Sequence, residues 1–102
     1  MYVIIWEYEV EPEHIAEFEK SYGENGQWVK LFKNNSSYLG TELLRSSSHH
    51  YLTIDRWESK KSYESFLSKS KKEYETLDAQ CMAFIEQETL LGKWETVSPE
   101  SR

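Results

Sequence analysis

Between Tyr2 and Val10 the chain alternates: Tyr2, Ile4, Trp6, Tyr8 and Val10 fall on one face of an extended segment, and Val3, Ile5, Glu7 and Glu9 fall on the other. Apolar groups on both faces predict a central strand covered twice. Glu11-Pro12-Glu13 predicts a helix start, because proline at the first helical position loses no hydrogen bond and acidic residues suit the positive end of the helix dipole. Ile15, Phe18 and Tyr22 follow at helical spacing. Gly23 and Gly26 interrupt that pattern, and Trp28, Leu31 and Phe32 resume it, which predicts two helical pieces with a bend, closed by Asn34 and Asn35.

Ser37 to Arg45 reads as a second strand, Ser46-Ser47-Ser48 as a turn, and His49 to Trp57 as a third strand, so a hairpin is expected. Ser59 is a candidate N-cap for a helix carrying Tyr63, Phe66 and Leu67. Ser70-Lys71-Lys72-Glu73 has the form of a capping box and predicts a new helix with Tyr74, Leu77 and Cys81 on one side, a pattern that Ile85 extends. Glu88 to Val97 reads as a fourth strand. The order is that of a ferredoxin-like α+β sandwich, βαββαβ, in which a four-stranded antiparallel sheet carries its helices on one face. Residues 1–97 form a single domain in this reading, and 98–102 form a polar tail. The other sheet face would stay open. Tyr2, Ile4, Trp6 and Tyr8 are too much aromatic surface to leave in water, and Leu90 and Trp94 share one face of the fourth strand, so a homodimer through the open sheet face is expected.

Composition narrows the partners. Aromatic residues make up 15% of the 102, with four Trp and seven Tyr, which places the chain among folded rather than solvating sequences. A formal charge of −6 argues against nucleic acid, whose phosphates are bound by clustered Lys and Arg. Lys69, Lys71 and Lys72 are the one basic cluster, and Glu73 and Glu75 follow directly, so a solvated helix face is expected there. No apolar run reaches the roughly eighteen residues of a membrane span, and Met1 leads straight into a strand, so no membrane partner and a soluble, cytoplasmic protein are expected. Cys81 is the lone cysteine and reads as a buried structural thiol. His49 and His50 point to opposite faces if both lie in a strand, and His14 has no partner at ligand spacing, so neither a metal site nor a cofactor is expected. His49 shares its face parity with Thr53 and Trp57, which leaves a proton relay and a surface position at the hairpin end both open.

Four stretches carry a resemblance: the opening strand running into Val10-Glu11-Pro12-Glu13; Ser37-Tyr38-Leu39-Gly40-Thr41-Glu42-Leu43-Leu44-Arg45; Asp55-Arg56-Trp57-Glu58-Ser59; and Tyr63, six residues after the tryptophan. With the order of elements, they make the chain resemble the antibiotic biosynthesis monooxygenase domain family of dimeric α/β barrels. The resemblance implies a cavity between sheet and helices. Some members there oxygenate phenols, quinols or anthrone-like polyketides with molecular oxygen and neither metal nor flavin. It also implies that Trp57 and Tyr63 line the pocket, with Phe66 one helical turn beyond. Thr53 stands where some members place an asparagine, and no histidine follows His50. Related haem-degrading proteins use an asparagine, a tryptophan and an axial histidine where this chain has Glu7, Phe66 and Thr76, so haem degradation is not expected.

Oxygenation without a cofactor needs a dry pocket, a base for the phenolic proton and donors for the resulting anion. Glu7 is a candidate base because it shares a face with Val3 and Ile5, where burial would raise its pKa; the alternative is that the strand is already leaving the core, since Glu9 shares that face. Trp57 and Tyr63 are candidates to stack on a planar substrate, Tyr63 also as a hydrogen-bond donor, or else they close a core corner. Thr53 is a candidate donor or a plain β-branched strand residue. The function expected is a cofactor-independent monooxygenase of a small aromatic phenol, quinol or hydroxyquinone; the alternative is a dimeric small-molecule-binding protein without turnover.

Overall fold

The computed structural model describes residues 1–97; the expected polar tail, 98–102, lies outside the described residues. Strands β1 (Tyr2–Val10), β2 (Tyr38–Ser47), β3 (His50–Trp57) and β4 (Ile85–Glu95) form one antiparallel sheet in the order β2-β3-β1-β4. Helices α1 (Ile15–Tyr22), α2 (Gln27–Phe32), α3 (Lys60–Lys69) and α4 (Lys71–Cys81) fill the two crossovers. This is the expected ferredoxin-like α+β arrangement, with β1 central as its two-sided apolar pattern predicts.

The glycine bend is steric. A Cβ at Gly26 would lie 2.2 Å from the Ser21 carbonyl oxygen, so the chain leaving α1 passes too close to it for any side chain. Asn35 Nδ2 then donates to the Phe32 carbonyl at 3.2 Å and closes α2. Ser59 caps α3 reciprocally with Ser62. The second expected box does not form. Ser70 N–H still donates to the Phe66 carbonyl at 2.9 Å, which holds Ser70 near the helical region instead of in the extended geometry an N-cap needs, and its side chain caps nothing.

The face assignment of β1 is reversed. Alternation separates two faces without saying which one meets the helices, and the structure buries Tyr2, Ile4, Tyr8 and Val10 beneath them. Tyr8 packs with its ring centroid 5.3 Å from Phe18 and 5.1 Å from Tyr22, and Tyr2 lies 5.8 Å from Tyr63, so these aromatics are core of one protomer. The open face carries Val3, Ile5, Glu7 and Glu9 instead, with Leu52 and Ile54 of β3 in register. Leu90 and Trp94 also part company. A register shift at Leu91 sets Leu90 opposite Trp6 and Trp94 opposite Val3, so only Trp94, 58% exposed, joins the open face.

The hairpin turn falls one step later than expected. β2 runs through Ser47, the turn is Ser48-His49, and His49 is therefore outside the strand. Its Nδ1 lies 3.1 Å from Glu9 Oε2 and His50 Nε2 lies 2.7 Å from Glu7 Oε2. Both histidines thus pair with the outward glutamates of β1, and His49 does not share the face of Thr53.

Candidate functional site

A cavity lies between the helix-facing side of the sheet and α1, α2 and α4. Trp6, Tyr8, Thr41, Thr53, Asp55 and Glu88 line it from the strands, and Tyr22, Trp28, Phe32, Tyr74 and Asp78 from the helices. Its empty space is about 400 Å³ counted to the lining atoms and including its mouth, whereas the centre of a water molecule can reach about 30 Å³ of it. The walls are mainly aromatic, the kind of lining against which planar rings pack.

Asp55 is the chemical centre of this space. It sits on β3 in the alternation Tyr51, Thr53, Asp55, Trp57, all turned to the core, and is 9% exposed. Burial pushes its carboxyl pKa from the ordinary 3.8 up to about 6, against the opposing pull of one hydrogen bond from Thr41. The Thr41 hydroxyl donates to Asp55 Oδ1 at 2.6 Å across the β2–β3 pairing, and the Tyr38 hydroxyl lies 2.6 Å from Thr41 Oγ1. Burial also raises the Tyr38 phenol pKa.

Two buried polar atoms in the same walls, Thr53 Oγ1 and Trp28 Nε1, make no well-formed hydrogen bond among the described residues; the Tyr8 phenol stands near Thr53, and the Tyr22 phenol and Cys81 thiol stand near Trp28. Leaving such a group unpaired costs about 1–3 kcal/mol, so both are suited to a polar guest. Glu88, on the rim, has its pKa raised by partial burial and then by the neighbouring Asp78.

The candidates from sequence fare differently. Thr53 lines the cavity. Trp57, 0% exposed, and Phe66 stand behind it: the Trp57 ring is 5.6 Å from Phe32 and 5.0 Å from Phe66, and Phe32 is the one of the three in the wall. Trp57 Nε1 is buried without a partner. Tyr63 turns towards Tyr2 and borders a separate surface groove with Lys60 and Glu64; burial pushes its phenol pKa up to about 12. Glu7 is on the opposite side of the sheet, bound to His50, so it is not placed to act as a base in this cavity. Asp55 and Thr41 were not singled out from sequence. The signal available was a carboxylate interrupting an otherwise uncharged inward face of β3.

The model of the antibiotic biosynthesis monooxygenase family matches residues 1–74. The chain belongs to that family. Its fold is shared by a variant of SnoaB, a cofactor-independent oxygenase from Streptomyces nogalater, at TM-score 0.77 and 16% identity over 95% of this chain and 93% of that one. A putative antibiotic biosynthesis monooxygenase from Nitrosomonas europaea is similar at TM-score 0.74 and 11% identity, over 96% of this chain and 100% of that one. An uncharacterised NIPSNAP domain protein from Burkholderia xenovorans follows at TM-score 0.68 and 11% identity, over 97% of each chain. At these identities the likeness is one of fold. No curated protein matches the chain. As a member of the monooxygenase family it keeps the expected cavity between sheet and helices, yet its walls differ from those expected. No helix among the described residues is long and apolar enough to cross a membrane, and no group of three or more His, Cys, Asp or Glu among them is arranged to hold a metal ion.

Proposed function

We propose that the chain is a cofactor-independent oxygenase of a small, electron-rich phenol, quinol or hydroxyquinone, acting in the cavity at Asp55. The observation that carries this reading is a carboxylate of raised pKa, held by Thr41, inside aromatic walls. Family membership supports the reaction class. A phenol seated between the rings gives its proton to Asp55. Thr53 and Trp28 donate hydrogen bonds to the phenolate oxygen, filling their own vacancies. The phenolate transfers an electron to molecular oxygen, the radical pair closes to a carbon–oxygen bond, and the hydroperoxide loses water. In the sum, one oxygen atom becomes the second carbonyl of a quinone, and the other leaves as water with the phenolic proton and the displaced ring hydrogen.

The open face of the sheet supports a homodimer. Val3, Ile5, Leu52, Ile54 and Trp94 share it, and the pairs Glu7–His50 and Arg56–Glu42, the latter at 2.6 Å, stand among them. Two such faces packed together remove this apolar surface from water and leave the cavity, on the helix side, free.

Oxygen consumption by the purified protein, without added metal or flavin, tests the activity over a panel of quinols and hydroxyquinones. Uptake of one oxygen per ring oxidised is expected. A ligand that raises the melting temperature while no oxygen is consumed identifies a binding protein instead.

A further inference from the structure

From the charge of the cavity we infer that the substrate is a phenol that also bears a protonated amine. This rests on the reading of the cavity as the substrate site and names the class of molecule it takes. Three carboxylates line the space at increasing depth: Glu88 exposed at the mouth, Asp78 half-buried on α4, and Asp55 buried on β3. Among the described residues no lysine, arginine or histidine lines it, and none of their ion pairs involves these three. Six aromatic side chains make up the rest of its apolar wall. Rings and carboxylates together form a cage for an organic cation, because the ring faces and the acids both attract positive charge where water is scarce. The same acids repel the carboxylates that many natural phenols carry.

The unpartnered donors supply an independent pointer to the other end of the guest. Trp28 Nε1 can only donate, so it calls for an oxygen acceptor, and Thr53 Oγ1 can share that oxygen. Donors for an oxygen and acids for an ammonium, in one aromatic cavity, describe a hydroxyaryl amine.

Tyramine, tyrosol and 4-hydroxyphenylacetate share one ring and one phenol and end in a cation, a neutral hydroxyl and an anion. Calorimetric titration of the intact protein with each, at about pH 8 where the amine stays protonated, reads the preference directly. Tyramine is expected to bind at least about tenfold more tightly than tyrosol, about 1.4 kcal/mol, with 4-hydroxyphenylacetate weakest. Asp78→Asn and Glu88→Gln, at the carboxylates nearer the mouth, should each shrink the ratio towards one, since Asp55 stands at the phenol end. Equal or tighter binding of tyrosol or of the acid overturns the inference, as does binding of none of the three. A tyramine preference untouched by both substitutions places the cation elsewhere on this acidic protein and overturns it too. Oxygen uptake with the quinol and hydroxyquinone panel separates the two readings: tight tyramine binding by a protein that consumes no oxygen with any of the panel removes the oxygenase and leaves the cation site.

Discussion

Thr41 donates its hydroxyl proton to Asp55 Oδ1 at 2.6 Å, joining the edge strand β2 to a carboxylate buried on β3. That proton is the only one Thr41 has. Tyr38, 2.6 Å from Thr41 Oγ1, must therefore donate to it while Asp55 is ionised, and the Tyr38–Thr41–Asp55 chain points its dipoles at the carboxylate.

Asp55 costs the folded state stability when ionised. Its folded pKa of about 6 lies above the ordinary 3.8, so between these values the native protein binds the proton more tightly than the unfolded chain, and stability falls as pH rises through that window. The penalty at neutral pH is about 3 kcal/mol. Thermal melts of Asp55→Asn should exceed wild type most at about pH 8 and converge with it near pH 4; a constant difference across pH would contradict the shifted carboxyl.

Thr41→Val removes the one hydroxyl that favours the charged carboxylate. The Asp55 pKa then rises further above 6, and the acid limb of the rate profile moves by about one unit to higher pH. Stability at pH 8 falls by about 1 kcal/mol. An unmoved limb would separate Asp55 from the rate.

The aromatic pair that marks the strand-to-helix corner is expected to act through packing. Trp57→Ala opens a hole among Phe32, Tyr38, Tyr63 and Phe66 and should cost about 3–5 kcal/mol. Tyr63→Phe should leave oxygen consumption within about twofold of wild type, since the Tyr63 side chain faces a different groove. A rate loss of more than about tenfold in Tyr63→Phe would restore it to the site.

Sedimentation velocity tests the open face. Wild type should run as a dimer of 12.2 kDa chains at micromolar concentration, and Ile54→Asp, which puts a charge at the centre of the apolar face, as a folded monomer. A monomeric wild type would remove the sheet-to-sheet pairing.

Much of the fold is legible in the sequence because local patterns and tertiary packing agree. The alternation of Tyr2 to Val10, the Ser59 cap and the break of the helical pattern at Gly23 and Gly26 each point to one local structure. What alternation cannot reveal is which face of β1 meets the helices, since both carry apolar groups; that depends on Phe18 and Tyr22 arriving from α1. Glu7 inherits the same ambiguity, and its place beside His50 follows from the strand register. The parity break between Leu90 and Trp94 comes from an irregularity in pairing at Leu91, and Gly92 beside it, a glycine inside a strand, is its one mark in the sequence. Asp55 was visible as an inward carboxylate, but its partner Thr41 lies fourteen positions earlier, and only the β2–β3 register brings the two together.

The most direct test of the site compares oxygen consumption by wild type and Asp55→Asn with the best substrate of the panel, at a pH above 7 and with folding checked by melting. Loss of the base should slow the rate by about 100-fold or more, while the variant remains folded and at least as stable. A rate in Asp55→Asn equal to that of wild type would contradict the assignment of the cavity's chemistry to Asp55.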